Sequence, residues 1–199
     1  MQGCFPFRMC LECLQGPSFT ATQSYAHLRD EVHNVKLDHQ QAGPDVVLLK
    51  AGLRICGSGG VLATAPIVQN KAYFQVHIQQ SGTWGIGLAT RAADLTKAPV
   101  TKNAWILNNE GSLMAENELV SKMDAPFQEG DTIGVAFDHV ELKFFKEDQP
   151  IPLSISNVKG QVYPVVYVDD NAILDVKFNS FLTKTPAGYE EIMIEQTLL

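Results

Sequence analysis

Three features that would indicate common protein classes are scarce in this sequence of 199 residues. Basic residues are outnumbered, because 15 lysines and arginines face 22 aspartates and glutamates and give a formal net charge of −7, which argues against nucleic-acid phosphate as the main partner. No run approaches the roughly 20 consecutive apolar residues that span a bilayer. The four cysteines are too few for a disulfide scaffold. The 45% apolar fraction nevertheless predicts a globular domain.

The first residues resemble a secretory signal peptide only in outline. Arg8 and Glu12 interrupt the apolar run that such a signal requires, and Pro6 breaks it earlier. Gln2 stands where N-myristoylation requires glycine. We therefore expect the protein to stay in the reducing cytosol or nucleus, with a cytoplasmic location favoured, and its cysteines to be free thiols.

Cys4, Cys10 and Cys13 lie among apolar side chains, and three interpretations of them stay open. Acylation of these thiols would bury methylenes in a bilayer and attach the protein peripherally to a membrane. The second interpretation is a zinc site, because the spacing from Cys10 and Cys13 to His27 and His33 falls within the range seen in zinc-finger-like sites. The intervening residues, however, lack the pattern and the basic residues of a DNA-reading finger. In the third interpretation the cysteines have no special role.

Gly43 and Pro44 mark a boundary between a leader and a domain. The leader, residues 1–44, is expected to be irregular, with a short helix over residues 23–33, where apolar residues recur at helical spacing. The domain, residues 45–199, contains short apolar segments separated by turn residues. We therefore expect the domain to be built from strands.

Alternation with a period of two predicts half-buried strands in the domain. Residues 71–78 alternate apolar Phe74, Val76 and Ile78 with residues expected to face outward, and residues 84–90 alternate apolar residues with glycine and alanine that allow close approach of a neighbouring layer. Trp84 and Trp105 are expected in the core. Three hairpins are predicted, joining 46–49 to 53–56, 131–138 to 140–145, and 162–168 to 172–178. Many short strands without a long helix predict an all-β, antiparallel two-sheet sandwich and argue against a doubly wound α/β fold.

Five motifs in the domain carry a resemblance to a known family. They are KAYFQVHI (71–78), WGIGLAT (84–90), WILNNEG (105–111), EGDTIGVAFD (129–138) and VYPVVYV (162–168). In this order they resemble the SPRY domain, a bent antiparallel sandwich related to the concanavalin A-like lectins, from about residue 45 to residue 178. One departure is a turn in which Glu147 and Asp148 stand where the family usually has Asn-Gly. Neither residue adopts a positive φ as easily as glycine, so we expect a wider turn.

The resemblance implies a non-catalytic module whose loops at one end of the sandwich bind a peptide segment of a partner protein. Mapped onto this sequence, those loops are residues 39–44, 91–102 and 168–171. The side chains expected to contact the partner are His39, Gln40, Arg91, Asp169, Asp170 and Asn171. The excess of carboxylates between Glu110 and Glu147 would in addition steer a basic partner segment.

A lectin-like glycan-binding domain is the alternative function. Asp169, Asp170 and Asn171 offer oxygen ligands of the kind that hold calcium in lectins of related fold. The same residues are also common in ordinary turns, because their side chains cap their own backbone and tolerate left-handed φ. We therefore predict no metal at this turn.

Enzyme chemistry has weak support in the sequence. Gly57–Gly60 lacks the following helix and the lysine of a phosphate loop. Cys56 could act as a nucleophile only if folding placed it beside His77 or His139, and a lone cysteine at a strand end is usually a small core residue. We expect a protein without catalytic residues and without a cofactor.

Overall fold

The computed structural model describes residues 34–123 and 127–194. Contacts divide the chain into a unit that ends at Asn34 and one that begins at Val35, and every strand of the described residues lies in the latter. The strands are β1 Leu37–Ala42, β2 Val46–Leu49, β3 Arg54–Gly57, β4 Gly59–Ala63, β5 Ala72–Gln80, β6 Thr83–Ala89, β7 Ala104–Asn108, β8 Ser112–Ala115, β9 Glu118–Lys122, β10 Thr132–Phe137, β11 Glu141–Lys146, β12 Gln149–Ser156, β13 Tyr163–Asp169, β14 Ile173–Lys177 and β15 Glu190–Glu191.

The strands form two sheets. The seven-stranded sheet has the order β1-β4-β13-β6-β7-β8-β9, and the eight-stranded sheet has the order β12-β11-β10-β5-β14-β3-β2, with β15 paired in parallel to the start of β5. The other neighbouring strands pair antiparallel. The predicted all-β, antiparallel two-sheet sandwich is confirmed.

The core lies between the sheets and follows the predicted alternation. Phe74, Val76 and Ile78 of β5 are buried, as are the alternate residues Trp84, Ile86 and Leu88 of β6. Trp105 of β7 is buried in the same cluster. The expectation that both tryptophans belong to the core is confirmed.

Part of the outer face of the seven-stranded sheet is also buried. The segment 90–103 leaves β6 and packs over this face, where Val100 joins Tyr163, Val165 and Tyr167 in a second apolar cluster. Gly85 of β6 is required there, because a Cβ at this position would overlap the ring of Tyr167. The small residues of β6 therefore admit a close layer, as the sequence predicts.

The outer face of the eight-stranded sheet is covered near the start of β5 by residues 180–194, which we call the C-terminal strap. Tyr73 and Gln75, predicted to face outward from a half-buried strand, are fully buried beneath it. The ring of Phe181 packs edge-on against that of Tyr73 at 5.0 Å between centroids. The Gln75 side chain donates from Nε2 to Thr183 Oγ1 at 2.8 Å and accepts from the Leu182 N–H at 2.8 Å.

The hairpins of 46–49 with 53–56 and of 131–138 with 140–145 are confirmed as β2–β3 and β10–β11. The third predicted hairpin is wrong. β13 lies between β4 and β6 in the seven-stranded sheet, whereas β14 lies between β5 and β3 in the eight-stranded sheet. The turn between them therefore carries the chain from one sheet to the other.

Two further expectations need correction. The sandwich begins before the predicted boundary at residue 44, because β1 already pairs with β4, with Leu37 opposite Ala63. The turn at Glu147 and Asp148 is not widened, since Lys146 pairs directly with Gln149. Glu147 adopts φ +51°, and its carboxylate accepts a hydrogen bond from the Thr132 N–H at 2.7 Å, which compensates for the absence of glycine.

Candidate functional site

Three turns meet at the end of the sandwich where β13 stops. In the seven-stranded sheet, Asp169 at the end of β13 is opposite Thr83 at the start of β6, and Val168 is opposite Gly59 at the start of β4. The turns that precede β4 and β6 and the turn that follows β13 therefore lie side by side. We call these turns, residues 57–58, 81–82 and 169–171, the rim.

The turn after β13 has left-handed backbone conformations that its residue types tolerate. Asp170 and Asn171 have φ of +47° and +62°, and the Ala172 N–H donates to the Asp169 carbonyl at 3.0 Å. Aspartate and asparagine are among the few residues that tolerate this left-handed conformation. The expectation that these residues form an ordinary turn with left-handed φ is confirmed.

Hydrogen bonds and close packing join this turn to its neighbour. Thr83 Oγ1 donates to Asp170 Oδ2 at 2.7 Å, and the Asp170 N–H donates to Asp169 Oδ1 at 3.0 Å. Gly82 has φ +158°, and a Cβ there would lie 2.5 Å from the Asp170 carbonyl oxygen. The two turns therefore support each other as a preorganised surface.

A polar depression of about 730 Å³, open to solvent, extends along the rim. It is lined by Cys56, Gly57, Ser58, Gln80, Asp169, Asp170, Asn171, Ala172 and Ile173. Sites for small molecules are usually more enclosed and more apolar than this.

The charge at the rim is negative. Asp169 and Asp170 line the depression, and none of its lining residues is cationic. The Glu129 carboxylate adds to this charge, because it accepts a hydrogen bond from the Ser81 N–H of the rim at 2.8 Å. Carboxylates gathered in this way attract a cationic ligand.

The structure brings together only part of the predicted contact set. Asp169, Asp170 and Asn171 lie on the rim. Arg91 lies at the other end of β13, where its guanidinium carbon is 5.0 Å from the centroid of the Tyr163 ring. Tyr163 and Asp169 are the first and last residues of β13, so about 20 Å of strand separates the two positions.

His39 and Gln40 also depart from the expectation. They were predicted on a loop that precedes the first sandwich strand, yet they lie within β1, an edge strand of the seven-stranded sheet. The same prediction placed Gly43 on that loop, and its N–H donates to the Gly60 carbonyl at 2.8 Å. Only the end of this segment therefore approaches the rim.

Cys56 is partly exposed, and the expectation of a core cysteine is wrong. It lies on the outward face of β3, where it alternates with buried Ile55, and its Sγ is 3.7 Å from the Val47 carbonyl oxygen. His77 lies two strands away from Cys56 and two residues out of register with it, so the Cα atoms of the two residues are about 12 Å apart. The Nδ1 atom of His77 is instead 3.1 Å from Thr132 Oγ1. His139 contacts the Gln69 carbonyl instead. Neither histidine is placed to deprotonate Cys56.

Sequence reasoning missed the turn at residues 81–82 and its supports, Thr83 and Glu129. The local signal was present, because Ser81 and Gly82 are typical turn residues between two predicted strands. What was lacking is the pairing of β6 with β13, which places that turn beside Asp170.

Several predictions about the leader lie outside the described residues. These are the helix over 23–33, the zinc set that includes His27 and His33, and acylation of Cys4, Cys10 and Cys13; membrane attachment and the cytoplasmic location likewise stay predictions. Across residues 34–123 and 127–194, no three His, Cys, Asp or Glu side chains gather into a group able to hold a metal ion. No helix in those two ranges is long and apolar enough to cross a membrane.

Comparison with known proteins gives consistent results. A family model described as the SPRY domain matches residues 71–181. The chain is similar to SPRY domain-containing protein 7 of Gallus gallus, with 45% identity over 84% of this chain and 88% of that protein, and to the Homo sapiens protein of the same name, with 44% identity and the same coverage.

Solved structures agree on the fold. The SPRY domain of human HERC1 matches with a TM-score of 0.60 at 16% identity, over 71% of this chain and 96% of that one. The TRIM65 PSpry domain matches with a TM-score of 0.59 at 15% identity, over 75% of this chain and 95% of that one. At such low identity these similarities establish the sandwich alone.

Proposed function

Because the chain belongs to the SPRY domain family, we propose that it is a protein-interaction module whose rim binds a lysine- or arginine-containing segment of a partner protein. SPRY domains generally bind protein partners. The observation that carries the proposal is the convergence of Asp169 and Asp170 on one open depression with no cationic lining residue.

Preorganisation of the rim favours binding. Hydrogen bonds within the turn at Asp169 and from Thr83 hold the two carboxylates in place before any partner arrives. Little backbone entropy is then lost on docking, so more of the interaction energy contributes to affinity. An extended segment could lie along the depression and place a cationic side chain between the carboxylates.

The charge of the rim also affects how a partner arrives. Glu129 extends the negative region beyond Asp169 and Asp170. Such a region speeds the association of a basic segment and disfavours an acidic one. Because these carboxylates are near solvent, the attraction should weaken as salt is added.

A peptide array probed with the full chain tests this proposal. The variant Asp169→Asn with Asp170→Asn removes two negative charges and keeps oxygen atoms that accept the same hydrogen bonds. The matched control is Glu190→Gln with Glu191→Gln, which removes two exposed charges from β15, away from the rim. We expect the unmodified chain and the control to bind basic peptides alike and the rim variant to bind them about tenfold more weakly.

An unchanged peptide profile in the rim variant would refute the proposal. A glycan array run with the same three proteins distinguishes the alternative ligand class. Glycan binding that depends on Asp169 and Asp170, without binding of basic peptides, would also refute it and would favour the lectin-like function.

A further inference from the structure

Within the described residues the two sheets end in four edge strands, namely β1 and β9 in the seven-stranded sheet and β12 and β2 in the eight-stranded sheet. The two-residue β15, which pairs with the start of β5 and consists of two glutamates, is a further short and charged edge. An edge strand presents unpaired N–H and C=O groups, which can pair with another chain unless bulges, prolines or charges prevent it. Three of the four edge strands carry such features. The pairings of β1 and β9 contain register shifts, and β12 contains Pro150 and Pro152.

β2 carries none of these features. Its sequence, VVLL, has neither proline nor charge, and it pairs with β3 at four consecutive positions without a shift. Val47 and Leu49 are each 48% exposed and share the outward face of the sheet, because residues two apart on a strand point the same way. Among the described edges, β2 is therefore the one prepared to accept another strand.

The backbone of β2 identifies which residue would make the contact. The carbonyls of Asp45 and Leu49 accept from the N–H groups of Ser58 and Leu53 at 3.1 Å each, so the odd-numbered residues turn their backbone groups toward β3. Along a strand, the N–H and C=O groups of successive residues point to alternate sides. The N–H and C=O of Leu48 therefore point to the open edge.

We propose that this edge binds β2 of a second copy of the chain, antiparallel, with Leu48 on the two-fold axis. Leu48 of each copy would then exchange both backbone hydrogen bonds with Leu48 of the other. Val47 would lie opposite Leu49 of the second copy on the outward face, so that four half-exposed side chains cover one another. This surface contains none of the rim residues, although one end of β2 adjoins the depression, because Val46 and Val47 pair with Gly57 and Cys56, which line it.

Charge complementarity favours a second copy in this orientation. Asp45 precedes β2 and Lys50 follows it, so antiparallel self-pairing brings the acidic end of each strand beside the basic end of the other. The Lys50 side chain is 53% exposed and binds Asp175 on its own chain. Parallel pairing would instead place like charges together. The strand is therefore complementary to itself in the antiparallel sense only.

The dimer would extend the eight-stranded sheet across both copies and point their rims in opposite directions. The contact is small, because a four-residue strand contributes much less than the roughly 800 Å² per partner of a stable interface. We therefore expect a weak association, with a Kd in the micromolar range.

Sedimentation velocity of the full chain from about 1 µM to about 500 µM tests the proposal. We expect a shift from monomer to dimer across this range. The variant Val47→Lys with Leu49→Lys should stay monomeric, whereas the control Val140→Lys with Leu182→Lys, which charges two other exposed apolar positions, should dimerise like the unmodified chain. A monomer at every concentration, or a dimer that tolerates the β2 substitutions, would overturn the proposal. The first result would leave the edge to an extended segment of another protein.

Disulfide cross-linking checks the register independently of the lysine variant. Val47→Cys with Leu49→Cys is made in a chain whose native Cys4, Cys10, Cys13 and Cys56 are serine, because Cys56 lies opposite Val47 within the same sheet. In the proposed register the two new cysteines of different copies face each other at a Cα spacing that a disulfide can bridge. Mild oxidation should then give a covalent dimer, and the pair Val140→Cys with Leu182→Cys should not. Equal cross-linking of both pairs would contradict the register.

Discussion

Asp175 is the centre of a polar cluster on the outward face of the eight-stranded sheet. Its Oδ2 accepts from Arg54 Nη2 at 2.8 Å and from Lys50 Nζ at 2.9 Å. Burial alone would raise the pKa of Asp175, but the hydrogen bonds and charges of Arg54 and Lys50 outweigh burial and hold that pKa below its ordinary value. The ionised carboxylate therefore stabilises the folded chain.

Replacing Asp175 by asparagine should lower the free energy of unfolding by about 2 kcal/mol at neutral pH, because the amide cannot neutralise the two cations. The unmodified chain should lose this advantage as the pH falls below about 4, where the unfolded carboxylate takes up a proton. Urea unfolding at pH 7 and pH 3 measures both effects. Glu118→Gln, an exposed change on β9, is the control, and a loss of stability as large as that of Asp175→Asn would contradict the assignment.

Local conformation at single residues was predictable where it depends on the residue type itself. Asp170 and Asn171 occupy left-handed conformations that their short polar side chains tolerate, and Trp84 follows the alternation of its own strand. Arg91 could not be placed correctly, because the end of the sandwich at which a loop lies depends on the order of strands in the sheet. That order is a property of long-range pairing, which no local pattern records.

The C-terminal strap shows how one buried side chain can hold an element that has little regular structure. Gln75, fully buried on β5, makes hydrogen bonds of 2.8 Å to Leu182 and to Thr183, and it also donates to the Tyr73 hydroxyl at 3.0 Å. Replacement by methionine keeps the length of the side chain but leaves the Leu182 N–H without its acceptor. We expect faster hydrogen exchange in residues 180–194, while β10 and β13 keep their protection.

Hydrogen exchange followed by mass spectrometry measures this difference. Gln149→Met, which makes the same chemical change at an exposed position on β12, should leave exchange in the strap unchanged. Equal protection of the strap in the Gln75 variant and in the unmodified chain would show that β15 and the Phe181 contact hold it without Gln75.

Hairpins between neighbouring strands can be predicted from local sequence, whereas pairing between strands that are distant in sequence cannot. The β2–β3 and β10–β11 hairpins were predictable, because each strand pair and its turn are contiguous in sequence. The segment from β13 to β14 has equally clear strands and an equally typical turn, yet the chain crosses between sheets there. A polar turn has the same composition in both cases, so the sequence pattern could not distinguish them.

Burial in the whole molecule exceeds what alternation predicts, because each sheet has a covering on its outer face. Segment 90–103 covers part of the seven-stranded sheet, and the C-terminal strap covers part of the eight-stranded sheet. Tyr167 and Tyr73 are buried beneath these coverings rather than exposed. Strand periodicity alone contains no signal for a covering segment that has no periodicity of its own.

Burial of Tyr167 predicts that the folded chain is less stable at high pH. Burial, with a smaller effect of the Glu110 charge, raises the pKa of Tyr167 to about 12. Because an unfolded tyrosine titrates near 10, the unfolded chain releases a proton between these values that the folded chain keeps. The free energy of unfolding should therefore fall as the pH rises, by about 1 kcal/mol between pH 9 and pH 11 from this group.

Urea unfolding at both pH values, compared between the unmodified chain and Tyr167→Phe, isolates this contribution. The phenylalanine variant cannot ionise at this position, so its stability should decrease less over the same interval, and other groups that titrate there cancel in the comparison. The absorbance of tyrosinate should also show one fewer high-pH transition in the variant. Identical losses of stability in the two proteins would mean that the phenol of Tyr167 ionises as readily in the folded chain as in the unfolded one.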